Sequence, residues 1–302
     1  MKGAHAYAAM PIDELYRWFA GEADPTSPTW GDLCRWVADT PELLARLDAL
    51  PGTKRQPNLF LGAIRYLDGP LVGGPGFLAW VEQNWDAVER LILSRSTQTN
   101  EPGRCAVLAP VLASLPQPVV LGELGASAGL CLLPDRYPWL DAPGLVVAAR
   151  WGLDANPLDA SDPDDARWLR ALVWPGEDAR EARLVAALAV AAEDAPEVVR
   201  GVLPDDLGWF LAETVRRAEA AGATPVVFHS PTLAYLARAD RDAVVAEIRA
   251  SGVRWVSFEG PTVVTELRGR VPDDGRPHFV LALDGEPVAR CSPHGAWVDW
   301  LG

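Results

Sequence analysis

The sequence predicts an α/β protein in which a mostly parallel sheet follows an all-helical N-terminal part and closes with an antiparallel hairpin. Three stretches carry that prediction. Pro118–Cys131 reads PVVLGELGASAGLC, a short apolar run of the kind a buried parallel strand shows, interrupted at Glu123 and followed by a turn of small residues. Downstream, short β-rich runs alternate with segments of helical periodicity, the order expected of parallel strands joined by helices. Near the end, Phe279–Leu283 and Pro287–Cys291 flank Asp284-Gly285, a two-residue hairpin signal.

The elements before the turn are helical. Segments near Ile12–Ala20, Trp30–Ala38, Pro41–Leu50, Asn58–Leu67, Phe77–Leu93 and Pro102–Leu115 repeat apolar residues at helical spacing, and Pro41 and Pro102 stand where a first turn accepts proline. Pro116-Gln117-Pro118 reads as a rigid hinge, dividing the chain into a helical part, 1–116, and an α/β part, 117–302. After Gly129 a helix is expected, since Leu130, Leu133 and Tyr137 recur at helical intervals. Further strands are expected at Leu145–Ala149, Val198–Val202, Pro225–Ser230 and Val253–Phe258, with Trp297–Trp300 as a last one. Helices at Asp162–Trp174 and Ala182–Ala192 form an insertion between the second and third strands, and others run from Asp205-Asp206 to Ala220 and from Arg241 to Ala250.

With 302 residues and 49% hydrophobic content, the chain can build one large domain or two modest ones around a real core. A formal net charge of −14 opposes strong binding to nucleic acid or to an anionic membrane, which requires a basic surface. Cys34, Cys105, Cys131 and Cys291 form no C-x-x-C or Cys/His cluster, so neither a disulfide framework nor a metal site is expected. The longest apolar run, Leu184–Ala192, is far shorter than the roughly 20 residues of a membrane helix. The first residues carry Lys2 but no apolar stretch of a secretory leader. A cytoplasmic protein with a small-molecule substrate and no nucleic-acid or membrane partner is the expectation; the oligomeric state is left open.

Two chemistries share the central string. As E-x-G-x-x-x-G after a strand, Glu123, Gly125, Ser127 and Gly129 form a cofactor cradle, because glycine lets a ligand approach the backbone closely. As G-x-S-x-G, the same stretch is a nucleophile elbow presenting Ser127, with His229 or His294 and an acid such as Asp205 as partners. A plain strand-to-helix turn without a ligand is the third reading. The absence of strands before Pro118 counts against the elbow. Asp154 lies about 25 residues past Gly129, near the spacing of about 20 at which an acid after the second strand meets ribose hydroxyls. Asp205 could meet an adenine amino group or cap a helix. The polar stretch RSTQTNEPGR offers Arg95, Gln98, Asn100 and Glu101 as substrate contacts. His229 and Glu259 stand at the carboxyl ends of the fourth and fifth strands, where ligands of open α/β sheets bind, and His229 suits a general base.

The stretches RSTQTNEPGRC, GELGASAGL, GLDANPLD, DARWLRALVWP, TPVVFHSPTLAYL, WVSFEGP and SPHGAWVDW resemble an uncharacterised bacterial family known only as a domain of unknown function, over nearly the whole chain. More distantly, Pro118 to the C-terminus is similar to Rossmann-like, S-adenosylmethionine-dependent methyltransferases. That similarity implies S-adenosylmethionine near Glu123, Gly125, Ser127 and Gly129, and a methyltransferase of unknown acceptor. The pattern departs in having Ala126 and Ala128 inside the turn, and Val202 where an acid often follows the third strand. Methyl transfer needs mainly alignment of an acceptor with the sulfonium methyl, so a chain without an obvious triad is compatible with it. A non-catalytic protein on the same scaffold is the remaining alternative.

Overall fold

The computed structural model describes residues 10–301, so the leader reading, which rests on residues 1–9, lies outside them. Among these residues the chain packs as two compact units. One comprises Asn100–Ser161 and the chain from Ala186 onward, and the other comprises the chain up to Thr99 together with Asp162–Val185. The division falls at Asn100, ahead of the 116/117 hinge. The reason is that the segment beginning at Asn100 is tied into the sheet unit: Asn100 Oδ1 accepts from Leu130 N at 3.0 Å, and Arg104 Nη1 donates to Ser230 O at 2.8 Å.

The helical unit contains α1 (Ile12–Ala23), α2 (Pro28–Ala38), α3 (Pro41–Asp48), α4 (Pro57–Tyr66) and α5 (Pro75–Ser94). Proline begins four of these helices, at a position where the missing N–H would have no intrahelical partner. Their buried faces meet through edge-on aromatic contacts, Tyr16–Phe60, Phe60–Phe77 and Trp36–Phe77. The expected insertion supplies α7 (Pro163–Ala171), opened by Asp162, whose carboxylate accepts from Asp164 N at 2.8 Å.

The sheet unit starts with α6 (Cys105–Ala113) and contains β1 (Val119–Leu124), β2 (Val147–Asp154), β3 (Glu197–Arg200), α9 (Leu207–Ala221), β4 (Thr224–His229), α10 (Arg238–Ala250) and β5 (Arg254–Glu259). It ends in β6 (Phe279–Leu283), β7 (Glu286–Cys291) and β8 (Val298–Trp300). The helix α8 (Asp178–Glu193) crosses the division between the units. The sheet order is β3-β2-β1-β4-β5-β6-β7-β8, with β1 to β5 parallel and the last three strands antiparallel. The mostly parallel sheet with antiparallel C-terminal strands is therefore as expected. The chain leaves β1 toward β2 and β3, then returns to the other side of β1 as β4, so the carboxyl ends of β1 and β4 flank a topological switch point.

Pleating sends Gly122 and Leu124 to one face of β1, under α9. At Gly122 the missing side chain admits Phe210 and Thr214, whose atoms lie about 3 Å from where a Cβ would stand. Glu123 faces the other way. Its β2 neighbour Gly152 also lacks a side chain, and there Ala126 folds over: a Cβ on Gly152 would lie 2.3 Å from Ala126 Cβ. Gly152→Val is therefore expected to destabilise the sheet unit by about 1–3 kcal/mol, the usual cost of overpacking, read as a lower urea midpoint. An unchanged midpoint would show that the turn after β1 yields freely.

The helix expected after Gly129 does not form. A single 3-10 turn, Leu130–Leu132, stands in its place. A helix would need residue 134 to donate to Leu130 O, and Pro134 has no N–H. The Tyr137 hydroxyl donates to that carbonyl instead, at 2.6 Å. The second strand starts and ends later than the expected Leu145–Ala149: Arg150 stays in it, in register with Leu121, and its side chain pairs with Asp135 at 2.6 Å, while Trp151 and Leu153 are buried in the core.

Candidate functional site

The turn after β1 is built from left-handed backbone. Gly125, Ser127 and Gly129 have φ of 74°, 54° and 72°. Such values cost a serine what they do not cost glycine, so something must hold Ser127 there. Asp154 does so from the end of β2. Its Oδ2 accepts from Ser127 N at 2.8 Å and its Oδ1 from Asn156 N at 2.7 Å. Burial raises the Asp154 carboxyl above its ordinary range, with the two backbone donors opposing. The acid expected to meet ribose is thus first a latch on the turn. Asp154→Ala is expected to cost about 1–3 kcal/mol, since it leaves two backbone donors without acceptors, and to speed amide exchange at Ser127. Unaltered exchange there would exclude the latch.

Glu123, next to last in β1, lies in the interior, about 1% exposed, and among the described residues its Oε2 has no hydrogen-bond partner. Burial pushes its carboxyl well above the ordinary range; the nearby Cys131 adds to the rise and the buried Arg104 guanidinium opposes it. Arg104 is held by Ser230 O at 2.8 Å and Pro293 O at 3.1 Å. Cys131 donates to Glu101 O at 3.5 Å, and its neighbour Cys105 is a second buried thiol. The sequence offers RSTQTNEPGR as one polar loop, but only its second half reaches this cluster. Asn100 fixes Leu130, and Glu101 caps the following 3-10 turn, its Oε1 accepting from Gly103 N at 2.9 Å. Arg95 belongs to the helical unit, where it pairs with Asp164 and Asp165 and lies over the Trp168 ring. Gln98 belongs to that unit too.

His229 and Glu259 do come together, fully buried on the α9 and α10 side of the sheet. Trp255 Nε1 donates to His229 Nε2 at 3.1 Å, so that nitrogen is an acceptor and the ring hydrogen sits on Nδ1, which donates to Glu259 Oε1 at 2.8 Å. Both ring nitrogens are engaged, and neither is open to take a proton from a substrate. The same Glu259 oxygen also accepts from Thr232 N at 2.7 Å and Leu233 N at 2.8 Å, while Oε2 is buried without a partner. At the strand end where the sequence expects a general base, the structure thus places a His229 hydrogen-bonded to Glu259 and Trp255. Ser127 Oγ is buried, and among the described residues no base is hydrogen-bonded to it.

At the carboxyl end of β3, Asp205 is exposed, and Asp206 holds the N-cap position of α9 without a side-chain capping bond; its Oδ2 instead accepts from Val202 N, in the loop before the helix, at 2.7 Å. Val202, after β3, and Trp209, in the first turn of α9, are each more than half exposed. Sequence reading did not single out Arg104, Thr232 or Trp209. Arg104 was visible only as one of two arginines in a polar stretch, and Thr232 and Trp209 carry no motif. Among the described residues no helix is long and apolar enough to cross a membrane.

No curated protein matches the chain. A family model does, over residues 74–141 and 138–300, which takes in every strand of the sheet and the whole candidate site. The chain belongs to the DUF2332 family, described as uncharacterized proteins conserved in bacteria.

Proposed function

We propose that the sheet unit binds S-adenosylmethionine at the switch point beside β1 and is a methyltransferase acting on a small molecule. One observation carries the reading: a buried carboxyl, Glu123, stands one residue before the end of the central strand, next to a glycine turn, and among the described residues one of its oxygens has no partner. A buried carboxylate lacking full compensation is stabilised by a cation, and S-adenosylmethionine brings both a sulfonium and an ammonium group. The strand order 3-2-1-4-5 followed by an antiparallel strand is compatible with a Rossmann-like, methyltransferase-like sheet, although here the β6–β7 hairpin adjoins β5 directly and no helix follows the glycine turn.

When bound, the cofactor supplies a methyl group activated by its positive sulfur. Glu123 would face that charge, Gly125 would let the backbone approach once Thr232 gives way, Gly129 being packed under Pro196 and Val198, and Trp209 with Val202 would offer an apolar rest for the purine. Asn100 and Glu101 bear on the acceptor side through the turn and loop that they hold. Asp205, being exposed at the start of α9, is left as a contact to the rim. The serine hydrolase reading draws no support from His229, whose nitrogens are both taken.

Titration calorimetry of the full chain with S-adenosylmethionine and S-adenosylhomocysteine tests the proposal. Saturable binding of either, lost in Glu123→Ala, is the expected result. No heat and no thermal shift with both would overturn it. Binding without methyl transfer across small-molecule acceptors would leave a non-catalytic binder.

A further inference from the structure

At the glycine turn, the space a ligand would use against Gly125 is filled. A Cβ built on Gly125 would lie 2.2 Å from Thr232 Oγ1 and 2.7 Å from Thr232 Cγ2. Thr232 reaches there from the loop after β4, which is fastened at several points. Its hydroxyl donates to Leu124 O at 2.8 Å, its N–H and that of Leu233 donate to Glu259 Oε1, and Ser230 O is held by Arg104. Apart from the Leu124 carbonyl, these fastenings are polar side chains from strand ends or loops, and one carboxylate oxygen carries the two loop amides and His229 together.

We propose that residues 230–236 form a stopper that occupies the methionyl end of the ligand site in the ligand-free protein, with Glu259 as the positioning residue that latches it. The inference rests on the ligand reading above. Binding then requires Thr232 to leave Gly125, and the apparent affinity is reduced by the small fraction of molecules in which it has left. The His229–Glu259–Trp255 network gains a role by this account: it fixes the oxygen to which the loop is tied. Glu259 Oε2, buried and unpartnered, leaves that carboxylate held only from one side, so the latch depends on a single oxygen.

Hydrogen exchange on the full chain tests the stopper without any ligand, and calorimetry tests its consequence. In the ligand-free protein, the amides of 230–236 are expected to exchange through an opening smaller than global unfolding. Glu259→Ala should speed them at least tenfold while β1 and α9 keep their protection, and Glu259→Gln, which keeps the accepting oxygen, should restore most of the slow exchange. Thr232→Gly should bind S-adenosylmethionine at least tenfold more tightly than the unaltered protein. The proposal fails if 230–236 exchange only with global unfolding, if Glu259→Ala leaves their exchange unchanged, or if Thr232→Gly binds no more tightly than a protein that binds. Should Glu259→Ala not fold, Thr232→Gly, which keeps the loop's ties to Glu259 while losing the hydroxyl tie to Leu124 and the packing against Gly125, carries the exchange measurement in its place. If neither protein binds S-adenosylmethionine, the ligand reading falls, and the exchange pattern alone decides the stopper.

Discussion

Glu123→Gln is expected to weaken S-adenosylmethionine binding at least tenfold while raising the stability of the ligand-free protein at neutral pH. The two effects have one cause. In the folded state burial raises the Glu123 carboxyl well above its ordinary range, whereas in the unfolded chain it titrates near its usual value of about 4.3. Below that value both states carry the proton and the native carboxyl is buried neutral. Between that value and the raised folded-state value the folded protein keeps a proton that the unfolded chain has released, so stability falls across this window and levels off above it, where the folded protein buries an ion. Gln is neutral throughout and escapes this. The difference in Tm between Glu123→Gln and the unaltered protein should therefore be small at pH 4 and widen toward pH 8, where relief of a buried uncompensated group is on the order of 1–3 kcal/mol. A difference that stays flat with pH would show that Glu123 is fully compensated by Arg104. The loss of ligand binding follows because the amide has no negative charge to offer a sulfonium or an ammonium.

His229→Ala is expected to be the most destabilising single change in the sheet unit, at roughly 3–5 kcal/mol, the cost of breaking a buried polar pair by deleting one member. The ring stands at 0% exposure between two groups that cannot reach water. Removing it leaves Trp255 Nε1 without an acceptor and takes one of three donors from Glu259 Oε1. For a unit of this size the Tm should fall by roughly 6–20 °C. Trp255→Phe removes only the donor to Nε2 and should cost less. A folded His229→Ala protein with near-normal stability and no activity would instead restore His229 as a catalytic base.

How much of this was legible in the sequence varies by residue. β1, β4 and β5 are legible because each is a short apolar run bounded by breakers; β2 and β3, with charged residues inside them, are legible only in place, β2 ending five residues later than expected. β6 and β7 are legible because Asp284-Gly285 takes φ values of 52° and 82° that few other pairs adopt. The helix after Gly129 was misread because the apolar spacing Leu130, Leu133, Tyr137 is helical, while the decisive fact, a proline without an N–H at position 134, acts through one missing hydrogen bond. Arg95 looked like a ligand contact because an arginine in a polar loop reads the same whether its partner is a substrate or an acid far along the chain. Its partners, Asp164 and Asp165, come from the insertion some seventy residues later. His229 was placed correctly at its strand end, but nothing local announces that Trp255 and Glu259, from the neighbouring strand, take both its nitrogens.

The sequence alone determined the class of the fold, the place of the central turn, and the identities of the acids and the histidine around the strand ends, because apolar period, glycine and proline act over a few residues. Only the tertiary structure decided which of those groups are already satisfied. Glu123 Oε2 is left without a partner, His229 is not, and Gly125 faces Thr232. Each of these is a contact between segments distant in the chain, and pairing in space is set by sheet order and packing, which no local spacing encodes.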